Sequence, residues 1–208
     1  MLVTLSEILK DANERHYAVG AFNSLSLENV MGAIEAAEEL RSPIILQLAE
    51  VQFPEAPMEM MTPLYLEAAK RASVPVCVHL DHGQSLETCV RAIRLGFTSV
   101  MFDGAALPFE ENVRITSEVT RIAKAAGVDV EAELGKVGNS GVDTADVFTD
   151  VEESKRFVEA TGIDALAIAI GNLHGHYVHT PQLNIQRLIE IHEANRLPSC
   201  FMEEAGRA

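Results

Sequence analysis

The sequence has no tryptophan, and only 5% of its residues are aromatic. Sixteen lysines and arginines stand against 31 aspartates and glutamates, a net charge of -15 without any basic block. A surface for nucleic acid or an anionic membrane needs the opposite sign, so neither partner is expected. No apolar run approaches the roughly 18 residues that a membrane span requires. The N-terminal stretch MLVTLSEILKDANERH is amphipathic and lacks the layout of a secretory signal. The expected location is therefore cytoplasmic. The three cysteines, Cys77, Cys89 and Cys200, are odd in number and lack metal-ligand spacing, which reads as reduced, buried thiols and not as a disulfide framework. No GxGxxG or P-loop pattern follows any apolar run, so the usual nucleotide cradles are missing too.

What the sequence does have is apolar content: 48% hydrophobic residues and 23% charged over 208 positions, enough to bury one sizeable core. Short β-rich runs recur along it: YAVGAFN, SPIILQLAE, VPVCVHLD, FTSVMFDG, GVDVEAELG and IDALAIAIG. Between them lie stretches with apolar residues at three- and four-residue spacing, such as LENVMGAIEAAEELR, SLETCVRAIRLG and FEENVRITSEVTRIAKAAG, and NIQRLIEIHEAN follows the last run. Strands apolar on both faces and separated by single helices pair in parallel through right-handed crossovers. The fold class is α/β, and the rhythm alone fits either a (β/α)8 barrel or an open doubly wound sheet.

The polar residues favour the barrel. Asn23, Glu50, Asp81, His82, Asp103, Glu133 and His174 all stand at or just past the ends of β-runs, and in a barrel those ends converge on one mouth. Two imidazoles and several carboxylates on one rim are the donors that a divalent cation takes. Rim histidines and acids also serve as helix caps, so residue types alone leave both readings open. His79 shares a strand face with Asp81, as support for the site or as a satisfied core histidine. Gly83 is expected to turn the chain away after His82.

The motifs HLDHG, TSVMFDG followed by LPFEENV, VEAELG and TGIDALAIAIGNLHGHY, in this order, resemble the class II, metal-dependent fructose- and tagatose-bisphosphate aldolases from about Leu5 to about Pro198. The resemblance implies a TIM-type (β/α)8 barrel, here incomplete with about six βα units over residues 1–198, and a short tail over residues 199–208. It implies reversible cleavage of a ketose 1,6-bisphosphate into dihydroxyacetone phosphate and glyceraldehyde 3-phosphate, a step of carbohydrate metabolism and glycolysis. His82 and His174 become zinc ligands, Asp103 and Glu133 ligands of a second divalent or monovalent cation, and Asp81 the acid that protonates the aldehyde oxygen in condensation. Gly175 and Asn23 become substrate contacts. A small phosphorylated sugar is the expected partner, and a homo-oligomer the expected assembly.

Past the sixth helix, family members run into a strand ending in a further histidine and a glycine-rich turn, whereas this sequence reads RLPSCFMEEAGRA. The third zinc donor then falls to His176 or a carboxylate. The loop GKVGNSGVDTADVF lacks the adjacent glutamates of many relatives, and Asp143 and Asp146 read either as solvated loop acids or as a substitute loop base. The competing expectations are an inactive homologue acting as a binding or oligomerisation module and an open-sheet phosphosugar binder.

Overall fold

The computed structural model describes residues 1–135, 137–139, 148–174 and 182–200. The strands are β1 (Leu2–Val3), β2 (Gly20–Asn23), β3 (Ile44–Ala49), β4 (Val76–Gly83), β5 (Ser99–Phe102), β6 (Asp129–Leu134), β7 (Gly138–Asn139), β8 (Ala165–Ile168), β9 (Leu173–His174) and β10 (Ser199–Cys200). The helices are α1 (Leu5–Arg15), α2 (Leu27–Leu40), α3 (Met58–Arg71), α4 (Leu86–Leu95), α5 (Phe109–Ala125), α6 (Val151–Thr161) and α7 (Ile185–Asn195). All six runs read as strands from the sequence are strands, and the periodic stretches between them are helices. Among the described residues no helix is long and apolar enough to cross a membrane.

The chain divides into two compact units, one of Met1–Asp103 with Glu118–Glu131 and one of Gly104–Ser117 with Ala132–Ala208. In the first, β2, β3, β4 and β5 lie side by side in that order, all parallel, and β1 runs parallel to the start of β4. Two of the crossover helices have a start and a stop written locally. Ser26 caps α2, and Ser85 caps α4 by accepting the Thr88 N–H, while Gly96 closes α4 in the left-handed conformation. Leu46, Leu48, Val76, Val78, Leu80, Val100 and Phe102 form the sheet's contribution to the core. Cys77 and Cys89 are buried free thiols, as expected, and burial pushes each up to about 12. The side chain of Cys200 lies outside the described residues.

In the second unit β8 pairs in parallel with β10, and β7 with β9. Asp150 caps α6 and Gly162 ends it. Thr149 ties the unit's turns together: its hydroxyl donates to the Leu134 carbonyl at 2.7 Å and accepts the Ala169 N–H at 2.9 Å. Arg187 of α7 donates to the Thr149 carbonyl at 2.7 Å. These bonds satisfy backbone groups that would otherwise be stranded in buried turns.

Candidate active site

The end of β4 departs from regular alternation. His79 pairs with Ser99 and Leu80 with Val100, but Gly83 pairs with Phe102, so β4 takes three steps where β5 takes two. One extra residue is a β-bulge. The bulge coincides with His82 at φ +46°, a conformation costing roughly 1–3 kcal/mol outside glycine. Of the four described non-glycine residues with positive φ, His16, Arg41 and Arg196 close helices, and only His82 does not. The bulge turns two consecutive side chains to one side: His82 Nε2 lies 3.9 Å from Asp81 Oδ1.

Gly83 does not turn the chain away as expected; it is the last residue of β4 and still in the ladder. Its backbone has no positive φ, and glycine is required by crowding. A Cβ there would meet the Met101 carbonyl oxygen at 2.7 Å, Leu80 Cδ2 at 2.9 Å and Cys89 Sγ at 3.1 Å. Gly83→Ala therefore destabilises the protein by about 1–3 kcal/mol, as overpacking does, lowering the thermal midpoint by roughly 2–10 °C. A midpoint within about a degree of wild type would refute that account.

Each of the two site residues is held by a partner from another strand end, Asp81 from β2, two strands away, and His82 from the adjacent β5. Asn23, at the end of β2, donates from Nδ2 to Asp81 Oδ2 at 2.9 Å and to Gln52 Oε1 at 3.2 Å, and Gln47 Nε2 donates to Asn23 Oδ1 at 2.9 Å. The amide of Asn23 is thereby oriented from both ends, and the Asp81 carboxylate, 8% exposed, is fixed in turn. Asp103, just past β5, accepts from His82 Nδ1 at 2.8 Å. An ionised carboxylate only accepts, so Nδ1 carries the hydrogen of this bond, and in the neutral ring the lone pair is then on Nε2. A carboxylate behind an imidazole in this manner is the support that metal-ligating histidines commonly have. Ser85, not Asp81 or His82, caps α4, which removes the capping explanation for that pair.

His79 sits one layer deeper, buried, with Nδ1 2.9 Å from Ser99 Oγ and Nε2 3.5 Å from Glu131 Oε2. Burial pushes its pKa down to about 4, against the raising influence of Asp81. It is a neutral, hydrogen-bonded core histidine at pH 7.

In the second unit, Glu133 near the end of β6 is 3% exposed and accepts the Val137 N–H on Oε1 at 3.2 Å. Asn112 anchors the same strand end by donating to the Glu133 carbonyl at 3.0 Å. His174 is placed by the β7–β9 ladder, paired with Asn139. A Glu133 carboxylate oxygen and a His174 ring nitrogen lie within 4.8 Å of each other, close enough to share one ion. Gly175, His176, Asp143 and Asp146 lie outside the described residues.

The sequence reading did not single out Gln47, Gln52 or Gln84. The signal for them was faint: three amides placed within or just beyond the ends of β3 and β4, in ILQLAEVQF and HLDHGQ.

The alternating parallel strands and helices make a TIM-type α/β fold, and solved structures agree. The crystal structure of the YdjI aldolase from Escherichia coli K12 superposes with a TM-score of 0.88 at 38% identity, over 96% of this chain and 72% of that one. The family model for class II fructose-bisphosphate aldolase matches residues 3–201, and the chain belongs to that family. A fructose-bisphosphate aldolase of Giardia intestinalis is 44% identical over 91% of this chain, and one of Staphylococcus epidermidis 42% over 95%. The chain spans 59% of the length of the first relative and 71% of the second.

Proposed function

We propose that the chain carries the reaction centre of a metal-dependent aldolase that reversibly cleaves a ketose 1,6-bisphosphate, of the fructose or tagatose configuration, into dihydroxyacetone phosphate and glyceraldehyde 3-phosphate. The observation that supports this most is the end of β4: an oriented carboxylate on Asp81 directly beside an imidazole whose Nδ1 is tied to Asp103.

The residues fit a divalent cation such as zinc. In this reading His82, through Nε2, and His174 are its imidazole donors, and Glu133, whose carboxylate lies within 4.8 Å of a His174 ring nitrogen, its carboxylate donor, a donor set that zinc sites take. Glu133 then supplies the third donor that the family draws from a further histidine. Asp103 acts on the cation through His82 and is proposed as a donor to a second cation. A bound divalent cation supplies an electron sink for the negative charge that develops on the ketone oxygen.

The chain's own residues do the rest. In cleavage Asp81 takes the proton of the C4 hydroxyl as the C3–C4 bond breaks and the hydroxyl carbon becomes the aldehyde; in condensation the same carboxyl returns it to the aldehyde oxygen. Asn23 keeps Asp81 in position, and its amide is also within reach of a substrate hydroxyl. Gly175 is proposed as a backbone contact to dihydroxyacetone phosphate. No lysine is required.

With zinc or cobalt added, the purified protein is expected to cleave fructose 1,6-bisphosphate or its tagatose isomer in a coupled assay, and a chelator to abolish the rate until cation is restored. A chelator-resistant rate would remove the proposed chemistry. Cation binding without cleavage of either sugar would leave a binding module in its place.

A further inference from the structure

Glu50 opens a short 3-10 turn at the end of β3, within the first unit. Both of its carboxylate oxygens reach the segment that follows β4. Oε2 accepts the backbone N–H of Gln84 at 2.6 Å, and Oε1 accepts the Thr88 hydroxyl at 2.9 Å. Gln84, so fixed, sends its own side-chain amide back towards the site, donating to the His82 carbonyl at 3.2 Å and to Asp103 Oδ2 at 3.3 Å. Asp103 Oδ2 is the same oxygen that accepts from His82 Nδ1. A closed circuit results: Glu50 holds Gln84, Gln84 holds the His82 backbone and Asp103, and Asp103 holds the His82 ring.

The residue at the centre of this circuit is the one in a costly backbone conformation. A left-handed histidine outside a helix cap persists only when its surroundings over-determine it. The next residue, Gly83, packs against the Met101 carbonyl, and Glu50 and Gln84 hold the segment that follows. Helix α4 does not need Glu50 for its own start, because Ser85 already caps it.

We propose that Glu50 and Gln84 are positioning residues that hold His82 in its left-handed conformation with Nε2 aimed at the cation, and so set the affinity of the site. The inference rests on the reading of His82 as a cation ligand given above. Neither residue touches substrate or cation; both act through His82 and Asp103. Supports of this kind typically contribute about 10- to 100-fold in metal affinity.

Cobalt(II) titration of the cation-free protein, followed by its visible absorption, tests this without a turnover assay. Glu50→Ala and Gln84→Ala are each expected to weaken cobalt binding by about 10- to 100-fold and to alter the absorption bands. Glu50→Gln, which keeps an acceptor for the Gln84 N–H, is expected to recover most of the affinity. If Glu50→Ala fails to fold, Gln84→Ala decides the matter, since its side chain is exposed and, among the described residues, bonds to the His82 carbonyl and Asp103. His82→Ala separates the two levels. Wild-type cobalt affinity in His82→Ala would overturn the ligand reading itself. Loss in His82→Ala with wild-type affinity and spectrum in Glu50→Ala and Gln84→Ala would overturn the positioning role alone, as would weaker binding that merely follows a lower thermal midpoint with the bands unchanged.

Discussion

Asp81→Asn is expected to lower kcat for ketose-bisphosphate cleavage by about 100- to 10,000-fold, the usual loss on removing a positioned proton carrier. The substitution is nearly isosteric, and the new amide oxygen still accepts from Asn23 Nδ2, the bond that now measures 2.9 Å. The fold and cobalt binding should therefore change little, and KM should move far less than kcat. Steady-state kinetics beside a cobalt titration check this. A kcat within threefold of wild type would assign the proton to another group. A parallel collapse of cation binding would make Asp81 a ligand instead of a proton carrier.

His82→Ala should remove the cation, weakening zinc or cobalt by more than about 100-fold, a larger loss than removing a supporting residue gives. Activity would fall to background with it. Substituting glycine instead of alanine distinguishes the ring from the backbone. Both lose the imidazole, but glycine accepts φ +46° without strain and should be more stable than alanine there by about 1 kcal/mol. Denaturation of the two variants without cation measures that difference. Equal stability would mean that the left-handed conformation is not retained once the ring and its bond to Asp103 are gone.

Five of the six longer strands were legible because almost every position in them is buried, so a run such as VPVCVHLD is under one apolar demand throughout; β2 is exposed at all four positions and was legible only from its apolar residue types. Strands β1, β7, β9 and β10 were not, since two residues carry no periodicity. Asp81, His82, Asp103, Glu133 and His174 could be named in advance as strand-end polar residues. Their individual partners could not, because strand alternation predicts opposite faces for residues 81 and 82. The bulge that turns them together depends on a register against β5 that no local pattern records. Gly83 shows the same limit from the other side: a turn glycine by sequence, it is a packing glycine in the fold, and the obstacle is a carbonyl 18 residues away.

Cys77 in β4 and Cys89 in α4 lie at 0% exposure on either side of the segment that carries Asp81 and His82. With each held at a pKa of about 12, an alkylating reagent at neutral pH meets neither accessible sulfur nor appreciable thiolate. Their alkylation has to wait for this strand and helix to part, and its rate then times the breathing of the segment that carries the chemistry.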